Sequence, residues 1–227
     1  VAGDILAAAM FLPDRSERKG LGLLHEREAR GVVAVFLGLA QKGGGLEQSG
    51  EEALDGRTGA DDPGGDAVDA GIEKIQADVI LISHAHMDHI ADAVELATRT
   101  GAKVLASWEV ADWLGKQGVT TAHPMNHGGS VKTHGARIKM VNAIHSSSLP
   151  DGSYGGNPAG FVVETSEGSF YYSGDTALTL DMNLIAEEFD LAFAVLPIGD
   201  NFTMGAADAV KAARLCGAEV VMGVHYD

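Results

Sequence analysis

From about residue 72 the chain settles into short apolar runs separated by helical patterns, and the elements can be read from that rhythm. "DVILIS" (78 to 83) is a continuous apolar run, the pattern of a strand buried on both faces. A helix is predicted from Ile90, with Ile90, Ala93, Val94 and Ala97 on one face and Gly101 past its end as C-cap. "KVLAS" reads as a strand, "WEVADWLGKQG" as a helix, and "RIKMVNAI" and "GFVVET" as two further strands. "FVVETSEGSFYYS" has the form of a hairpin turning on Ser-Glu-Gly. A helix near "TLDMNLIAEEF" leads to the strand "LAFAVLPI", and a helix in "AADAVKAARLCGA" leads to "AEVVMGV". Strands alternating with helices predict an α/β fold with a mixed sheet. The first third follows no such rhythm. Residues 1 to about 40 mix charged clusters, "DRSERKG" and "HEREAR", with short apolar runs, and 41 to 71 are rich in Gly, Asp and Glu and read as a linker.

Composition narrows the classes. A chain of 227 residues with 45% hydrophobic content can bury a sizeable core. Its formal net charge of -16 disfavours nucleic acid as a partner, because no basic stripe is available to neutralise phosphates. The single cysteine, Cys216, excludes an internal disulfide, suits a reducing compartment and reads as a small buried hydrophobe. The longest apolar run, "GVVAVFLGLA", is far short of the roughly 20 residues a membrane-spanning helix needs, so no membrane partner is expected. The N-terminus carries Asp4 and lacks a positive n-region, so no signal peptide is expected and the default location is cytoplasmic.

Chemistry concentrates in "HAHMDH", residues 84 to 89. His84 and His86 lie just past the "DVILIS" strand, where residues i and i+2 of an extended segment face the same side and can grip one ion together. Asp88 and His89 follow at the helix entrance, directed away from that pair, and suit a second ion or an acid–base role. His145 ends "RIKMVNAIH", Asp175 follows "SFYYSG", and His225 ends "AEVVMGVH". Each stands at the carboxyl end of a predicted strand, where open α/β sheets build their sites. A cluster of neutral imidazoles and carboxylates is a ligand set for zinc, iron or manganese.

These residues resemble the metallo-β-lactamase superfamily, and most closely its branch of small metal-dependent hydrolases. The resemblance rests on "ADVILISHAHMDHIADAVELATRTGAKVLA", "HPMNHGGS", "IHSSSLPDG", "YYSGDTAL", "PIGDNFTMG" and "GVHYD", and covers about residues 72 to 227. It implies an α/β fold of the metallo-β-lactamase-like αβ/βα sandwich type, with 72 to 227 as the metal-binding domain and 1 to 71 as an atypical N-terminal segment. It implies two divalent ions, zinc in the first instance and manganese or iron as alternatives. His84, His86 and His145 would hold the first metal, Asp88, His89 and His225 the second, and Asp175 would bridge them. The usual "GHS"-like turn and "(I/L)DPF"-like segment are missing from residues 1 to 60, unless "ADDPGG" at 60 to 65 is a remnant of the second. The sandwich is therefore expected to lack some N-terminal strands, with "GVVAVFLGLA" a candidate substitute for one, and to lack the C-terminal helix.

Two ions sharing a water bring its pKa towards neutrality and polarise the substrate oxygen. The expected activity is thus hydrolysis of a small-molecule ester, lactone or phosphodiester by metal-bound hydroxide, with Asp88 as the catalytic residue that orients or deprotonates the nucleophile. The alternative is a non-catalytic or degenerate metal-binding scaffold. The oxygen-reducing diiron branch of the superfamily places an acidic residue where this chain has His86, which favours hydrolysis. Ser83, Ser146, Ser147 and Thr176 are candidates to hydrogen-bond the ligand histidines. His123, His127 and His134 read as exposed loop residues, Thr203 as a helix N-cap, Asp200, Asn201 and Asn126 as pocket candidates, Tyr154 as a lid candidate, and Trp108 and Trp113 as packing residues on a helix.

Overall fold

The computed structural model describes the backbone strand at residues 34 to 36 and residues 72 to 226. Strand β1 (Ala34–Phe36) falls within "GVVAVFLGLA" and pairs parallel with β2 (Val79–Leu81). The rest of the N-terminal segment, with the linker and "ADDPGG", lies outside the described residues.

Two sheets form the framework. The first has the order β1-β2-β3-β4, all parallel, with β3 at Lys103–Ser107 and β4 at Ala122–Met125. The second has the order β10-β9-β8-β7-β6-β5, built from β5 (Ser130–Thr133), β6 (Ala136–Asn142), β7 (Ala159–Thr165), β8 (Gly168–Tyr172), β9 (Leu191–Pro197) and β10 (Val221–Val224). Strands β5 to β8 run antiparallel to their neighbours, whereas β8, β9 and β10 are parallel. The β7–β8 pair is the hairpin expected at Ser-Glu-Gly. Strands β4 and β5 carry no continuous apolar run: β4 holds Pro124, and β5 reads Ser-Val-Lys-Thr. Both close the edge of a sheet, where a proline and polar residues are tolerated.

Side-chain alternation explains why the strand runs are apolar throughout. Val79, Leu81 and Leu105 of the first sheet meet Ile138, Met140, Phe161, Val163 and Tyr172 of the second in a shared central core. The intervening residues Ile80, Ile82, Val104 and Ala106 point outward, beneath helices α2 (Ala93–Thr100) and α3 (Trp108–Lys116). On the far side Val162, Tyr171, Ala194 and Leu196 lie under α4 (Asn183–Glu188) and α5 (Ala206–Cys216), where Cys216 is buried as expected. Every central strand is thus covered on both faces, and the layers run helix, sheet, sheet, helix.

Local departures have local causes. The helix expected from Ile90 is broken into α1 (Met87–Ile90), which carries Asp88 and His89, and α2, which starts after Asp92. The buried stripe of α2 is Ala93, Leu96 and Ala97, with Val94 only partly buried against it, and Gly101 closes the helix at φ 70°. Thr203 does not cap α5: that helix starts one residue after Gly205, which is its N-cap, and the Thr203 hydroxyl donates to the Met204 carbonyl. Thr179 instead caps a single 3-10 turn, Leu180–Met182, before α4. Among the described residues no helix is long and apolar enough to cross a membrane.

Leu105 is fully buried between the sheets. Leu105→Ala is expected to destabilise the protein by about 2–5 kcal/mol, read as a lower urea midpoint at unchanged slope. An unchanged midpoint would contradict the central core described.

Candidate metal centre

Strands from both sheets end at one edge, and the seven candidate residues are delivered there. Past β2, the Ile82 amide still donates to the Leu105 carbonyl, so Ser83 and His84 leave the sheet fully buried. His86 is extended (φ -66°, ψ 149°), and the chain then turns into α1 with Asp88 and His89. The loops that carry the other residues are tied to this segment. The Ala159 amide at the start of β7 donates to the Ser83 carbonyl. Gly174, at φ 61°, places Asp175 just past β8, and a Cβ there would stand 2.7 Å from the Ser83 Cβ. Only glycine allows that approach. His145, past β6, is fixed to the Asp175 loop by the Ile144 amide donating to Thr176 Oγ1 and the Ala177 amide donating to the Ile144 carbonyl. His225, past β10, sits in the left-handed region at φ 53°, a strained conformation for a histidine.

All seven residues converge in two groups, His84, His86 and His145 in one and Asp88, His89, Asp175 and His225 in the other. Within each group the candidate ligand atoms lie within 4.8 Å of one another. Asp175 Oδ2 joins the groups. It stands 3.0 Å from His225 Nε2 and 3.3 Å from His89 Nε2, and also 3.8 Å from His145 Nε2 and 3.9 Å from His84 Nε2. Asp88 Oδ2 lies 3.2 Å from His89 Nε2 and 3.7 Å from His225 Nε2. His84 Nε2 and His86 Nδ1 are 3.0 Å apart.

The electrostatics divide the histidines. Burial first, and the neighbouring His89 second, push the pKa of His84 down to about 2. Burial also lowers that of His145. Both are therefore neutral at pH 7, the state a ligating imidazole requires. Burial alone would lower His89 as well, but Asp175 and then Asp88 outweigh it and raise its pKa to about 9. The same two carboxylates raise His225 to about 10. Burial opposes ionisation of Asp88 and Asp175, yet His225 and His89 more than offset it and hold both carboxyls well below the usual range. His89 Nε2 is buried and has no hydrogen-bond partner of acceptable geometry, although two carboxylate oxygens are close. An orphaned buried nitrogen facing two carboxylates fits a ligand atom for a cation, and so does a donor set of imidazoles and carboxylates.

The surrounding polar residues sort by what they touch. Ser83 Oγ lies 3.0 Å from His84 Nδ1 and 3.4 Å from His89 Nδ1, and Ser146 Oγ lies 3.3 Å from His86 Nε2. Ser147 and Thr176 brace backbone amides instead, those of Ala85 and Ile144. Tyr172 was not singled out in the sequence, because it reads as one more apolar position of a strand; its buried phenol neighbours Ser83. His127 Nε2 donates to the Pro158 carbonyl, which anchors the loop after β4, and the Asn126 carboxamide oxygen accepts from the His127 amide. His134 is exposed and His123 partly buried on β4. Tyr154 is exposed and its hydroxyl donates to Asn157 of its own loop. Trp108 is exposed, and Trp113 packs on the outer core of the first sheet. Asp200 takes a positive φ of 63° in the loop after β9, while Asn201 is exposed.

A cation at the Asp88, His89, Asp175 and His225 group must displace the protons that His89 and His225 carry at neutral pH. Binding there is expected to release a proton from each histidine and to weaken by about tenfold per pH unit for each proton displaced as pH falls below 9. Zinc titration calorimetry at pH 7 in buffers of different ionisation enthalpy measures this. Heats independent of the buffer would contradict it.

Comparison with known proteins identifies the relatives of this chain. Residues 68 to 226 match the family model described as "Beta-lactamase superfamily domain". A UPF0173 metal-dependent hydrolase of Methylacidiphilum infernorum is 51% identical over 156 residues, covering 69% of each chain. One from Thermus thermophilus is 47% identical over 157 residues, again 69% of each. Among solved structures, a metallo hydrolase from the archaeon Ignicoccus hospitalis superposes with a TM-score of 0.61 at 34% identity, covering 68% of this chain and 66% of its own. About a third of each relative thus lies outside the matched region. On the family match and these identities, the chain belongs to the metallo-β-lactamase superfamily, alongside relatives named metal-dependent hydrolases.

Proposed function

We propose that this protein is a hydrolase of small-molecule esters, lactones or phosphodiesters that works with two divalent cations, zinc in the first instance and manganese or iron as alternatives. His84, His86 and His145 would hold one cation and Asp88, His89 and His225 the other, with Asp175 placed to be shared by both. The observation that carries this reading is the position of Asp175 Oδ2, within 3.9 Å of imidazole nitrogens from both groups. When bound, such a pair of cations lowers the pKa of a water molecule towards neutrality and polarises the oxygen of the scissile group.

The chain's own residues supply the rest. Asp175, with a side chain only 7% exposed, is placed to hold charge and fix spacing. Asp88, 26% exposed, is the carboxylate that solvent and substrate reach more easily. As a carboxylate it orients the attacking water, takes its proton and returns a proton to the leaving oxygen. Among the described residues no lysine or arginine makes an ion pair with Asp88 or Asp175. With the acidic net charge, that favours small substrates over nucleic acid.

Turnover of 4-nitrophenyl esters and of a bis-aryl phosphodiester with added zinc or manganese tests the reading. His84→Ala and Asp175→Ala are each expected to lower the rate by more than about a hundredfold, since loss of a ligand costs at least what loss of its supporting contact does. Chelation is expected to abolish activity and re-addition of metal to restore it. Turnover that survives either substitution would contradict the site, and metal binding without turnover on any ester, lactone or phosphodiester would favour the scaffold reading.

A further inference from the structure

We infer that Ser83 is a positioning residue shared by the two cation sites, its one hydroxyl orienting a histidine from each. This rests on the two-cation reading above. Ser83 Oγ lies 3.0 Å from His84 Nδ1, in the first group, and 3.4 Å from His89 Nδ1, in the second. All three residues are buried, with Ser83 and His89 at 2% exposure and His84 at 1%. The two rings stand 4.0 Å apart centre to centre, with the hydroxyl between their Nδ1 atoms. The phenol of Tyr172, also buried, neighbours the serine.

Hydrogen-bond capacity then fixes the arrangement. A neutral histidine that ligates through Nε2 carries its proton on Nδ1, which makes Nδ1–H a donor. Two such donors fill the two lone pairs of the Ser83 oxygen, and the serine's own proton goes to the Tyr172 oxygen. This arrangement satisfies both Nδ1–H donors, and it presents both Nε2 atoms bare towards Asp175. The serine is in turn held from outside the motif. Its carbonyl accepts from the Ala159 amide, and Gly174 leaves no room for a Cβ beside the serine's own. Seating a cation on His84 sets that ring's proton on Nδ1 and thereby the Ser83 hydroxyl, which leaves the acceptor His89 needs already aimed. The first cation therefore prepares the site of the second.

Cobalt(II) titration of the metal-free protein, followed by absorption spectroscopy and equilibrium dialysis, tests this without reference to activity. Wild type is expected to bind two cations with positive coupling. Ser83→Ala is expected to lower both stepwise affinities by roughly ten- to a hundredfold, with altered ligand-field bands and loss of the coupling. Tyr172→Phe, which removes only the acceptor of the serine proton, is expected to lie between the two. Leu105→Ala controls for destabilisation, since it weakens the core without touching the centre, and is expected to keep wild-type spectra and coupling while folded. Ser83→Ala protein that binds both cations as wild type does would overturn the shared role, and so would a loss confined to one cation. Wild-type protein that binds none would overturn this inference together with the two-cation reading, whereas the first two outcomes leave that reading standing.

Discussion

One carboxylate organises the site. Asp175 Oδ2 lies within 3.0 to 3.9 Å of four imidazole nitrogens carried by three different segments of chain. Gathering that much polar surface at a buried position is costly unless its charges are paired, and here each group limits the cost of another. Asp88 and Asp175 stay ionised because His89 and His225 face them, and His84 stays neutral because it is buried. The centre is therefore a preassembled cluster of His and Asp side chains able to bind metal.

The sandwich exists at this edge to meet that demand. Strands β2, β6, β8 and β10 end on the same side, so residues far apart in sequence need only a short loop to reach one another. The loops are then packed closely at glycines. Gly155 lies against Ala85, Gly174 against Ser83 and Gly199 against the His225 carbonyl, each closer than a side chain would permit. Fold and chemistry share one requirement, which is that loops from both sheets touch the "HAHMDH" segment.

Much of this is written in the chain. Apolar runs buried on both faces identified β2, β3, β7, β8 and β9, and the seven site candidates are the residues the structure brings together. Strands β4 and β5 escaped because edge strands need no continuous apolar run, and the break between α1 and α2 escaped because a helical period does not show where ligand geometry interrupts a helix. Thr203 looked like a cap, but Gly205 fills that position. Tyr172 was invisible for a different reason. A tyrosine in a strand looks like core, and only the three-dimensional arrangement shows that its phenol neighbours Ser83. Sequence spacing shows which groups can ligate, while the contacts that orient them depend on tertiary approach.

The central claim is that two cations share Asp175, and anomalous diffraction from crystals grown with zinc tests it most directly. Two peaks about 3.5–4 Å apart, one on each side of Asp175 and each within ligand distance of its own histidines, are the result this account predicts. A single peak that leaves His84, His86 and His145, or His89 and His225, without a metal would contradict it.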